Sequence, residues 1–499
     1  MATDTPTGTP SPRLSRELNV WETIGISIAL MAPSMAANIN PQGTVGSVGR
    51  AVPLAFAIAL VGVLLISWTF VRLCQRFNHS GSVYGFVGAT LGARTGVVAG
   101  WGLLGTYTFY GVVTAMATGI FGTTFLDIIG VWNSPPEWAP FLVGGIGLLG
   151  VLWLTIAPVH RSTRVLLVVE VVTVLLILIV ALVVLIRVAN GDEGKTLTLS
   201  PFTVPSGTDA SALFLGVVFG FLSFAGFEAA ATLGEESKRP RRDIPRAILG
   251  TAIFGGVYFV FVTWVEVIGF GTDEAGLEAF ANSGALMGDL GTTFIGAWVG
   301  DLITLGAAVS AFGCALACSV AASRLVYALS RDGVLPKEMA TVSPVRRTPV
   351  TAALAVVVTM FVIIAVMALV FSAAPFDVFL YSATIGTLIL LVAYALATIG
   401  AIRVVFFSGD NRIARWELII PVLALVVLGY TLLRNVSPYP SGPAAWLPLV
   451  CAVWLLLAVA LVLARPDVSR RAGERLTASE GLRPGGDDSR AGTTTSEVA

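Results

Sequence analysis

Apolar runs of about twenty residues alternate with short polar turns along most of the chain. A helix of that length crosses the hydrocarbon of a bilayer, because each residue rises about 1.5 Å against a core of about 30 Å. Twelve runs meet this condition: about 22–42, 51–71, 95–121, 139–157, 164–187, 211–231, 246–270, 293–327, 349–371, 377–402, 416–433 and 445–464. The eighth is too long for one perpendicular helix and is expected to extend into the cytoplasm through SRLVYALSRDG. The pattern predicts an all-α integral membrane protein of twelve transmembrane helices.

Two runs break their own pattern. The first contains Met31-Ala32-Pro33-Ser34-Met35-Ala36-Ala37-Asn38. Pro33 removes a backbone donor and clashes with the preceding turn, so a break is expected there. The sixth contains Ser223-Phe224-Ala225-Gly226-Phe227-Glu228 and places a carboxylate at membrane depth. Irregular backbone is tolerated inside a membrane only where protein or a cavity satisfies the freed groups. Breaks five helices apart point to an inverted five-plus-five repeat with a binding site at the midplane.

Charge sets the orientation. The turns on the side of the two termini carry Arg72, Arg76, Arg94, Arg161, Arg164, the 238–246 block, Arg324, Arg331, Lys337, Arg346, Arg347, Arg403, Arg412 and Arg415. The other side carries only Arg50, Arg187, Lys195 and Arg434, and it is acidic. By the positive-inside rule both termini are expected in the cytoplasm. The 499 residues are 56% hydrophobic and 12% charged, about half the charge fraction of a soluble chain. The formal net charge is zero and the basic residues are scattered, so nucleic acid is not expected as a partner. Cys74, Cys314, Cys318 and Cys451 fall in or beside apolar runs without a ligand-type spacing, so neither a metal site nor another cofactor is expected. The N-terminus is polar and does not read as a signal peptide. The composition, rich in Ala, Gly, Val and Arg and poor in Lys, fits a GC-rich bacterial genome.

Several segments, taken together and in order, resemble the amino acid–polyamine–organocation permeases over roughly residues 20–435. FAGFE followed by GEESKRPRRDIPRAI is similar to that family's sixth helix and following loop. SGSVYGFVGATLGARTGVVAGW (80–101), SRLVYALSRDGVLP (323–336) and RRTPV (346–350) are similar to its second-to-third segment, the end of its eighth helix and the start of its ninth. The resemblance implies a leucine-transporter-type fold, with a first inverted repeat over 21–190, a second over 205–405 and two further helices over 412–465, after a cytoplasmic tail over 1–20. The cytoplasmic tail over 466–499 has no core-forming residues and is expected to be disordered. The resemblance also implies alternating access and transport of amino acids or related amines. Two departures stand out. Where many members have a Gly-x-Gly pair in the first helix, this chain has Pro33 and Met35; where some carry a helix-five Lys, it has Thr173, with Glu170 one turn earlier.

The candidate substrate-binding residues follow from the two breaks. Ser34, Met35, Ala36 and Ala37 can offer amides and a half-helix N-terminus to a carboxylate; a plain proline kink is the alternative. Phe224, Ala225, Gly226 and Phe227 can offer carbonyls and ring faces to an ammonium and its aliphatic chain; ordinary packing is the alternative. Glu228 either holds a cation or proton or tethers its own broken helix. Glu170 and Glu266 are the other deep carboxylates; hydrogen bonding is expected of both, and Glu170 is the better proton candidate. Asp301 is expected near the outer end of the eighth span. Tyr107, Tyr110, Trp264 and Tyr381 are candidate gating aromatics, against a simple packing role. Thr304, Ser310 and Ser319 can serve a sodium ion, though bonding to their own helix is the commoner use. The Glu235-Glu236 pair and the Lys238–Arg246 block are expected to fix topology and form gate ion pairs, with Arg241 and Arg242 able to touch anionic lipid.

The expectation is a transporter, not an enzyme, in a bacterial cytoplasmic membrane. It imports an amino acid or amine by proton symport; exchange and sodium coupling are the alternatives. His79 and His160 both fall at cytoplasmic turns, which argues against intramembrane catalysis. No re-entrant filter or charged ring indicates a channel, and the short link between spans six and seven argues against a major-facilitator arrangement.

Overall fold

The computed structural model describes residues 19–77, 82–156, 162–233, 237–343, 348–407 and 414–479. Twelve helical segments are long and apolar enough to cross a membrane: Val20–Ile39, Gln42–Arg76, Ala93–Ile128, Ala139–Ile156, Leu166–Ala189, Ala210–Ala231, Arg241–Phe270, Ala297–Arg331, Val350–Leu369, Pro375–Phe406, Arg415–Arg434 and Gly442–Ala464. Each of the twelve apolar runs becomes one of these spans. The eighth differs at its start: residues 286–294 form a separate helix, Leu286–Phe294, and the span itself begins at Ala297. The remainder runs unbroken through SRLVYALSR to Arg331.

The first span starts at a reciprocal cap. The Asn19 side chain accepts from the Trp21 and Glu22 amides at 2.9 and 3.0 Å, and Glu22 accepts from the Asn19 amide at 2.8 Å. Such a box satisfies several otherwise orphaned donors. The third span is the most extensively covered helix, and its glycines explain how. A Cβ on Gly119 would lie 2.1 Å from the Pro140 carbonyl oxygen, and one on Gly144 would lie 2.7 Å from that of Ala115. Spans three and four therefore approach backbone to backbone, as membrane helices do through small residues.

Of two short helices between spans seven and eight, Leu286–Phe294 meets the half of span one over Pro33–Ile39, and Glu274–Ala281 meets the start of span two over Gln42–Val48. Asn38 Oδ1 accepts from the Met287 and Gly288 amides at 3.0 and 3.2 Å. Gln42 Nε2 points at the carbonyls of Phe280, Ala281 and Ser283, 2.8–3.2 Å away. A buried amide that finds both donor and acceptor partners fixes a contact in one register.

The expected disordered tail needs correction. Pro466–Ser479 is a helix packed on span three and on the helix Val83–Leu91. Ala472 is fully buried, Gly473 abuts the Ala93 backbone, and Arg475 pairs with Asp332 at 3.1 Å. Its few apolar positions share one face, and the bundle supplies the surface that an isolated polar segment lacks. Residues 480–499 lie outside the described residues.

Candidate functional site

Span one breaks at Ala32, whose φ of 47° and ψ of 55° put a non-glycine residue in the left-handed region. That conformation costs about 1–2 kcal/mol and turns the chain out of helix. Pro33 then starts a second short helix, Pro33–Ile39, at the position where a proline's missing donor does no harm. The first amides of this half-helix are all engaged. Ser34 N–H donates to Glu170 Oε1 at 2.9 Å, Met35 N–H to Ser310 Oγ at 3.3 Å, and Ala36 N–H to the Ala32 carbonyl at 2.9 Å. The Tyr258 hydroxyl donates to the Pro33 carbonyl at 3.3 Å. Ser34, Met35, Ala36 and Ala37 are buried, and the Ser34 hydroxyl is buried without a partner. The expectation of available amides from Ser34 onward is therefore corrected. A carboxylate of the protein, brought from span five, takes the place of a ligand at the positive helix end. Glu170 has the hydrogen-bonding role expected of it.

Span six breaks seven residues before its last turn ends. The helix Leu213–Phe224 stops, Ala225 turns extended (φ −57°, ψ 126°), and Gly226 adopts a φ of 108°. A tight helix over Phe227–Leu233 follows. Only glycine takes that φ without strain. It also allows close approach: a Cβ there would lie 3.3 Å from the carbon and oxygen of the Leu30 carbonyl. The two broken helices thus touch at their breaks. Gly226 N–H donates to Glu228 Oε2 at 3.2 Å, so this carboxylate satisfies an amide of its own break.

Phe224 and Phe227 are fully buried. Phe224 meets Phe259 edge-on at 5.5 Å, and Phe227 meets Phe70 and Tyr394 at 5.9 and 6.0 Å. Both rings pack inside the bundle, the alternative weighed for them. The positions with residual exposure are Ala225, Gly226 and Glu228, and Tyr107 on span three is half-buried. Tyr394 on span ten was missed in the sequence. Its hydroxyl faces Glu228. The available signal was a tyrosine in the middle of an otherwise apolar run. Tyr110 joins the same wall, with its hydroxyl 3.0 Å from that of Thr387.

Other candidates lie apart from this contact. Trp264 donates to the Thr198 carbonyl at 2.9 Å in the loop after span five. Tyr381 packs edge-on to Trp446, 5.5 Å away, at the start of span twelve. The hydroxyls weighed for sodium are separately engaged: Thr304 bonds its own helix at Gly300, Ser319 reaches Met360 Sδ, and Ser310 serves Met35. Glu266 was expected to hydrogen-bond, yet both its carboxylate oxygens are buried without a partner. Asp301 lies just past the first turn of span eight. Among the described residues no cluster of His, Cys, Asp and Glu has metal-binding geometry. His79, His160, Glu235 and Glu236 lie outside the described residues.

Twelve apolar helices in one bundle define an all-α, multi-pass membrane protein. Residues 18–471 match the family described as Amino acid permease, and the chain belongs to that family. It is 28% identical over 302 residues to the low-affinity putrescine importer PlaP of Escherichia coli (strain K12), covering 60% of this chain and 63% of that one. It is 25% identical over 356 residues to the branched-chain amino acid permease BcaP of Bacillus subtilis (strain 168), covering 68% and 72%. It is 26% identical over 331 residues to the human cationic amino acid transporter 4, covering 62% and 48%.

Proposed function

We propose that the protein is a secondary active transporter that imports an amino acid or related amine across a bacterial cytoplasmic membrane. The observation that carries this reading is the contact of two interrupted membrane helices, with Gly226 against the Leu30 carbonyl and the partly exposed Glu228 beside it. Interrupted helices expose backbone groups at membrane depth, and a polar ligand is the usual use for them. The names of the relatives support the substrate class: one imports putrescine, another is a branched-chain amino acid permease and a third is a cationic amino acid transporter.

In this reading the substrate sits between residues 30–37 and 224–228, flanked by Tyr107 and Tyr394. Spans one to five and six to ten form the inverted repeat, and the substrate is reached from alternate sides. The termini are cytoplasmic, by the distribution of Arg and Lys. Protons drive uptake, and Glu228 carries or senses the proton.

Reconstituted vesicles test the mechanism. Uptake of a radiolabelled substrate is expected to follow an imposed pH gradient and to collapse with a protonophore. Uptake that ignores both, yet requires internal amino acid, identifies an exchanger instead. In Glu228→Gln, the pH dependence of uptake is expected to flatten; an unchanged profile would assign Glu228 to helix tethering alone.

A further inference from the structure

An amino acid presents two charges, and a site that holds it must answer both. Its ammonium wants carbonyls or a carboxylate. Its own carboxylate wants free amides, a positive helix end or a cationic side chain. The first demand is met at the break of span six. Glu228 is partly exposed and accepts from the Gly226 amide. The last turn of Leu213–Phe224 also leaves carbonyls that no continuing helix satisfies.

The second demand is not met. At the break of span one, the amides of Ser34, Met35 and Ala36 go to Glu170, Ser310 and Ala32. The groups facing Glu170 are the Ser34 amide and hydroxyl, the Ser310 hydroxyl on span eight and Tyr258 on span seven, and none is a cation. Among the described residues no Lys or Arg is buried. A substrate carboxylate brought to this break would find its donors taken and a resident carboxylate beside it. An ammonium would find Glu228 and the Ser34 hydroxyl, which is buried and unpartnered.

We infer that Glu170 is a specificity-determining residue: it occupies the place of a substrate carboxylate, and the transported molecule is an organic cation that lacks one, such as a diamine or guanidino-amine. This rests on the transport reading above and narrows its substrate class. The hydrogen bond joins residues 136 positions apart, from spans one and five, so it is a tertiary contact and not a local turn.

Matched pairs that differ only by a carboxylate give the test: putrescine and ornithine, cadaverine and lysine, agmatine and arginine. Affinity is measured by thermal shift on the purified full-length protein and by competition for uptake into vesicles. At least one amine is expected to bind roughly tenfold or more tightly than its parent amino acid, a difference of about 1.4 kcal/mol. Equal or tighter binding of the amino acid members, or binding of neutral amino acids only, overturns the inference and leaves transport standing. If a folded preparation neither binds nor transports any amine or amino acid, the transport reading itself falls. Glu170→Gln separates specificity from structure, because the amide oxygen still accepts from Ser34 while the charge is gone. The amine-to-amino-acid ratio is expected to drop severalfold toward one in this variant. A loss of affinity equal for both members of each pair would make Glu170 a structural cap and overturn its assigned role.

Discussion

The two helix breaks solve one physical problem in opposite ways. Each frees backbone donors inside a membrane, where an unsatisfied group is costly. The break in span one is satisfied from outside: Glu170 comes from span five, Ser310 from span eight and Tyr258 from span seven. The break in span six is satisfied from within, by Glu228 two residues along the same chain. The outside solution ties one half-helix to three neighbours and, through Asn38, to the helix Leu286–Phe294. The inside solution satisfies the Gly226 amide without a hydrogen bond from another helix, and Ala225, Gly226 and Glu228 are partly exposed. A segment that carries its own partner can move without leaving a donor stranded. A segment capped by three other helices can move only if they move or new partners replace them.

Substitutions can break this contrast. Asn38→Ala removes the donor to the Ser34 carbonyl and the acceptor for two buried amides, Met287 and Gly288. Its cost is expected to be the largest, about 3 kcal/mol, seen as a lower melting temperature of the purified protein. Gly226→Ala places a Cβ where φ is 108° and 3.3 Å from the Leu30 carbonyl. It is expected to cost about 2 kcal/mol and to reduce uptake more than stability, because the contact of the breaks is what it disturbs. A fully active, fully stable Gly226→Ala protein would show that the breaks need not touch. Glu170→Ala strands the buried Ser34 amide and is expected to cost about 1–2 kcal/mol, with Glu170→Gln recovering most of the loss in the same melting assay. Glu228→Ala exposes a Gly226 amide that water can reach, so its cost is expected below about 1 kcal/mol. An equal loss of stability in Glu170→Ala and Glu228→Ala would erase the distinction between the two breaks.

The breaks differ in legibility for the same reason. Pro33 and Ala225-Gly226 interrupt helices through local backbone chemistry, so both positions stand out in the chain, as does the nearby Glu228. Glu170 was visible as a deep carboxylate, but its partner was not, because Ser34 lies 136 residues away. The aromatic candidates fared differently from one another. Phe224 and Phe227 are neighbours of the break, yet their rings turn into the bundle against Phe259, Phe70 and Tyr394. Trp264 and Tyr381 meet a loop and span twelve, which no periodicity within their own helices encodes. The helix Pro466–Ser479 escaped notice because its composition is polar, and its order comes from the surface on which it lies.

The sequence by itself determined the twelve spans and the places where two of them break. These depend on length, hydropathy and backbone chemistry within a few residues, which a chain carries at every point. Only the tertiary structure decided that the two breaks meet, that Glu170 caps the first, and that the flanking phenylalanines pack inward. Hydrogen bonds and ring contacts between helices depend on rotation and approach, which are set by all the helices packing at once.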